Sequence, residues 1–100
     1  MGYEIHKTLV VSTGHIEESD SNQLAKDATS NTTPSIVVYE YGIYGHIVFI
    51  PSYFYNKEDV SKRYSKEFMY LLEITRAEDC THLRIDRDGP IYEHLPTFIW

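Results

Sequence analysis

Apolar residues recur along the chain with two different periods, and the changes of period mark the elements. Residues 7–13 hold the run Leu9-Val10-Val11, too short for a helix and β-branched, which predicts a buried strand stopped by Gly14. Beyond it, Glu17, Glu18 and Asp20 gather where the positive end of a helix dipole would lie. Leu24, Ala25 and Ala28 then supply a thin apolar stripe, so a short helix is predicted over 18–28. A polar loop, residues 29–35, follows with Pro34 near its end. Residues 36–42 and 45–50 are two β-rich runs separated by glycines, the signature of an antiparallel hairpin, and Pro51 ends the second run.

After an aromatic connector containing Tyr53 and Tyr55, Asn56 with Asp59 three residues on can cap the next helix. Val60, Tyr64, Phe68, Leu71 and Leu72 share one helical face that carries to about Ala77, with Lys62, Arg63, Lys66 and Glu67 on the wet side. Ser65 offers an alternative cap for a second, shorter helix after a break near Tyr64. Residues 81–86 alternate Leu83 and Ile85 inward with His82, Arg84 and Asp86 outward, which is a half-buried strand. Asp88-Gly89-Pro90 reads as a turn. The tail ends in Phe98-Ile99-Trp100, so residues 97–100 are predicted to pair or pack along the domain, with the indole ring over apolar surface.

The order β-α-β-β-α-β predicts a single α+β domain over residues 1–100. It permits a ferredoxin-like architecture: an antiparallel sheet with two helices on one face, plus a docked C-terminal segment.

Two stretches carry a resemblance. Val10-Val11-Ser12-Thr13-Gly14-His15-Ile16 resembles the S-T-A-H-[IL] opening of a family of small uncharacterised bacterial domains. Leu83-Arg84-Ile85-Asp86-Arg87-Asp88-Gly89-Pro90, with Leu95-Pro96-Thr97-Phe98-Ile99-Trp100, is similar to the same family's D-x-D-G-P turn and L-P-x-x-x-W ending. The resemblance implies a gene of plasmids, prophages and integrating elements, with no established activity. Gly14 stands where that family often has Ala, and the loop at 29–35 looks longer than usual.

Charge narrows the function classes. Lys and Arg number 9 against 15 Asp and Glu, a net charge of −6. That balance argues against direct binding to nucleic acid or an anionic membrane, each of which calls for a basic stripe. No apolar run approaches the roughly 20 residues of a membrane span. The opening MGYEIHKTLVV mixes acidic and basic residues where a secretory leader is uniformly apolar, so a cytoplasmic location is expected. One cysteine excludes an internal disulfide and multi-cysteine zinc motifs.

Candidate chemistry is sparse. His6, His15, His46, His82 and His94 show no zinc spacing, and neither a metal nor a cofactor is expected. Asp86-Arg87-Asp88-Gly89 begins like a calcium loop but lacks its later ligands. Cys80, behind Glu78 and Asp79, reads as a small packing residue. Ser12, Thr13 and His15 lie between a strand and a helix start; there they either satisfy free amides or, with Asp86 alongside, form a small-ligand or hydrolytic site.

The compositional anomaly is nine tyrosines, several of them crowded on the hairpin. They are either half-buried sheet residues with wet hydroxyls or part of a protein-binding surface. The favoured expectation is a non-catalytic, acidic accessory protein of a phage or mobile element. It would bind a host protein, such as a nucleic-acid-handling defence complex, and inhibit it by mimicking phosphates. The acids offered for this are Glu17, Glu18, Asp20, Asp86, Asp88 and Glu93, with Tyr41 and Tyr44 as aromatic anchors. A homodimer is compatible with the same pattern.

Overall fold

A computed structural model describes residues 2–30, 35–50 and 56–100. Its elements are β1 (Thr8–Ser12), a 3-10 turn (Thr13–His15), α1 (Glu18–Ser30), β2 (Val37–Tyr41), β3 (Gly45–Phe49), α2 (Lys57–Ser61), α3 (Lys66–Ala77) and β4 (His82–Asp86). Pro51, the aromatic connector with Tyr53 and Tyr55, and the centre of the polar loop with Pro34 lie outside the described residues.

The α+β class stands, and the sheet departs from a ferredoxin-like arrangement in its order. The strands run β1-β4-β3-β2, with β1 and β4 parallel and the other two pairs antiparallel. The sheet is therefore mixed, and β4 takes a central place beside β1 and β3. The hydrophobic alternation of a strand states which face is buried, and it carries no information on which neighbour accepts the hydrogen bonds. β1, predicted as a buried strand, is an edge strand whose Leu9 and Val10 are only half-buried.

One face of the sheet carries the core. Val11, Val38, Val48, Leu83 and Ile85 point to it and pack with Leu24 of α1, Val60 of α2 and Phe68, Leu71 and Leu72 of α3. Gly45 is required where β3 crosses β4, because a Cβ there would run into the Ile85 carbonyl.

The helical stripe beginning at Val60 is split in two, as the Ser65 alternative allows. Asn56 Oδ1 accepts from Glu58 N and Asp59 N at the start of α2, and Ser65 Oγ accepts from Phe68 N at the start of α3. The break is held from outside by α1. Asp20 Oδ1 accepts from Ser65 N (2.8 Å) and its Oδ2 from Ser65 Oγ (2.6 Å). Asp27 Oδ2 accepts from the Tyr64 hydroxyl at 2.7 Å, and its Oδ1 accepts from Gln23 Nε2. Asp20, Leu24 and Asp27 are all buried, so the inner stripe of α1 is two-thirds carboxylate. Ala25, assigned to that stripe from sequence, is exposed.

Burial, and then the Asp27 carboxylate beside it, raise the Tyr64 hydroxyl pKa far above the usual tyrosine range. A raised folded-state pKa means that this stabilisation is complete below about pH 10 and is lost as pH rises beyond it. Tyr64→Phe should cost about 1–3 kcal/mol at neutral pH through loss of the buried hydrogen bond to Asp27, and should flatten the fall in urea stability above about pH 10. An unchanged alkaline profile would contradict this role. Phe68→Ala and Leu72→Ala should each cost about 2–5 kcal/mol in urea melts.

Candidate functional site

Ser12, at the end of β1, caps the 3-10 turn by accepting from Gly14 N at 3.0 Å. His15 follows in the interior, 2% exposed. Its Nδ1 donates to Pro96 O (2.8 Å) and its Nε2 accepts from Tyr92 N (2.9 Å). Pro96 O can only accept and the Tyr92 amide can only donate, so the partners place the ring proton on Nδ1. Both ring nitrogens are thereby committed to the C-terminal segment.

Four more bonds strap that segment down. Pro90 O accepts from Ser12 N, Tyr92 Oη donates to Val10 O, Phe98 N donates to Gly14 O, and Trp100 Nε1 donates to Ile16 O. The predicted docking of the tail takes this form, although Trp100 remains 52% exposed and Ile99 is fully in solvent.

Asp86 and Ser12 are register partners on the parallel β1–β4 pair, which places Asp86 and His15 at the same end of the sheet as the sequence reading required. No hydrogen bond or ion pair joins Asp86 to His15. Asp86 Oδ1 accepts from Asp88 N, closing the turn, and Oδ2 lies 3.5 Å from Arg84 Nε. The base–carboxylate pair of the ligand-site alternative is thus absent from this arrangement, and Ser12, Thr13, His15 and Asp86 serve to cap, strap and turn the chain.

Of the proposed partner-binding acids, Glu18, Asp88 and Glu93 are exposed and Glu17 is half-buried. Burial and the neighbouring Glu67 raise the Glu17 carboxyl pKa above the usual carboxylate value. Asp20 and Asp86 are corrections: both are buried and hydrogen-bonded within the fold, so neither belongs to an outer acidic face. Tyr41 is half-buried and Tyr44 exposed. Their rings lie 5.8 Å apart, with the Arg84 guanidinium 4.9 Å over Tyr41 and that of Arg87 5.4 Å over Tyr44. These two tyrosines answer to arginines, a pairing that charge counting did not foresee.

The tethers place several loops side by side at this end. Arg87 N donates to Tyr44 O, joining the β2–β3 turn to the turn after β4; Pro90 joins that turn to Ser12; Phe98 and Trp100 join the tail to Gly14 and Ile16. Ile43, Tyr44, Ile91, Ile99 and Trp100 are exposed along this series of loops. A hollow of about 360 Å³ opens among Thr13, Gly14, Phe98 and Trp100. Sequence reasoning found the tyrosines and the tail, and missed Ile43, in the β2–β3 turn, and Ile91, which follows Pro90.

A family model described as the C-terminal domain of a family of unknown function, DUF5983, matches residues 8–100. The chain belongs to this family. The match begins at β1 and runs through the last tail residue, so the strap over His15 is part of the DUF5983 domain. No curated protein and no solved structure matches the chain. Among the described residues no group of His, Cys, Asp and Glu is arranged to hold a metal, and no helix is long and apolar enough to cross a membrane.

His15→Ala should release the strap. Expected are a loss of about 2–4 kcal/mol, a red shift of the Trp100 emission and freer acrylamide quenching, with far-UV circular dichroism retained. Emission and quenching identical to the parent would show that the tail holds without His15.

Proposed function

We propose that this domain is a non-catalytic binding module that engages a protein partner through the loop end of its sheet. The observation that carries the proposal is the exposure of Ile43, Tyr44, Ile91, Ile99 and Trp100 on loops at one end of the sheet, with Ile99 and Trp100 lining a hollow there. Protein interfaces are built from such an apolar and aromatic centre with a polar rim, and a monomer gains nothing by exposing it. Asp88 and Glu93 stand in the same loops as the acidic part of a rim that also holds Arg87, over Tyr44.

An apolar centre with an acidic rim fits a basic target. The net charge of −6 supports the same polarity, and occupation of a nucleic-acid-binding groove on a host protein is the mode we favour. This is also the accessory, inhibitory role of a mobile-element gene that the sequence resemblance implies. Nothing in the arrangement favours the hydrolytic alternative, since His15 has no free nitrogen.

Affinity capture from the native host lysate tests the reading by comparing the parent chain with Ile43→Asp/Ile99→Asp. Both positions are exposed, so folding should stay within about 0.5 kcal/mol of the parent while a specifically retained partner is lost. Asp88→Asn/Glu93→Gln should weaken retention at low salt and matter less at high salt. Equal retention by all three proteins would place the contact surface elsewhere.

A further inference from the structure

A second feature lies away from the loop end, along the outer side of β1. Within the sheet this strand pairs with β4 alone, so its other edge faces no strand. In a parallel ladder the N–H and C=O of one residue point to the same side, and successive residues alternate. Ser12 N and Val10 O bond outward to Pro90 and Tyr92, so Thr8, Val10 and Ser12 are the outward-facing residues. Thr8 N–H and Val10 N–H are left without partners among the described residues.

Beside them a cleft of about 450 Å³ runs between β1, the end of α3 and the C-terminal segment. That volume lies within the range of small-molecule sites. Leu9, Val11, Ile74 and Leu95 wall it. Lys7 stands at its mouth, where Nζ donates to Glu78 O at 2.8 Å. A neutral carbonyl positions this ammonium without cancelling its charge, and among the described residues no carboxylate reaches ion-pair distance of it.

The outward Thr8 carbonyl and Glu78 belong to this lining too, beside three donors: two backbone amides and a positioned cation. An apolar body with a single anionic acceptor at one end complements these donors. We propose that this cleft binds a small amphipathic monocarboxylate, its carboxylate at Lys7 and the free β1 amides, and its hydrocarbon against Leu9, Ile74 and Leu95. The site is separate from the loop end, so either proposal can fail without the other.

Cys80 lines the same cleft and is the only cysteine of the chain, so its alkylation reports occupancy. The test titrates octanoate into the intact protein, followed by calorimetry and by the rate of Cys80 alkylation with iodoacetamide; octanol is the uncharged control. Saturable one-to-one binding of octanoate is expected, with alkylation slowed about fivefold or more at saturation and with octanol at least about tenfold weaker. Lys7→Gln, an exposed change, should weaken octanoate about tenfold while leaving octanol unaffected, the loss of one charge-assisted hydrogen bond. Ile74→Glu should abolish both, with circular dichroism confirming the fold. Absence of protection by octanoate, equal binding of octanol, or unchanged affinity in Lys7→Gln would each overturn the proposal.

Discussion

The architecture depends on two carboxylates buried under α1. A helix whose inner stripe reads Asp20, Leu24, Asp27 has little apolar area with which to dock. It docks because the partner surface supplies donors: Ser65 through amide and hydroxyl, and Tyr64 through its phenol. A buried carboxylate without such partners is strongly disfavoured, whereas one with two or three short hydrogen bonds is both tolerated and directional. The α2–α3 break is the other half of this arrangement. An uninterrupted helix would spend Ser65 N on an internal bond, and the break frees it to meet Asp20.

The same economy operates in the turn that leads into α1. His15 sits where an ordinary aliphatic residue would fill space, and its two nitrogens fix a C-terminal segment that has no regular secondary structure. Segments of this kind have few ladder bonds to hold them, so side-chain bonds take over. Fixing Tyr92 and Pro96 in turn sets the position of Ile91 before them and of Phe98, Ile99 and Trp100 after them. The exposed apolar residues of the loop end are thus held on a defined backbone, a condition for a preorganised contact surface.

Charge is distributed unevenly between these regions. Some of the acids that make the chain anionic are consumed internally, by α1 packing and by the turn after β4. Arg84 and Arg87 lie over tyrosine rings at the end of the sheet, which makes that end less negative than the total suggests. The outward polarity is carried by the acids left over, Glu18, Asp88 and Glu93 among them.

The α+β class, the strands around Leu9-Val10-Val11 and Leu83–Ile85, the hairpin and the stripe from Val60 to Leu72 were legible from the sequence, because period and capping residues are local properties of the chain. Docking of the Phe98-Ile99-Trp100 end was expected from its hydrophobicity, whereas hydrogen bonds to Gly14 and Ile16 hold it and Ile99 and Trp100 stay exposed. The strand order was not legible, since alternation names a face and never a neighbour, and β4 between β1 and β3 is a matter of which crossover packs the helices best. Nor did the sequence distinguish Asp20 and Asp86 from Glu18 and Asp88. A carboxylate is written the same way whether it faces water or the donors of a residue 45 positions away, as Asp20 does with Ser65. The fate of His15 and the gathering of Ile43, Ile91 and Ile99 likewise arise only when distant loops are tied together, because burial and adjacency are properties of the folded chain.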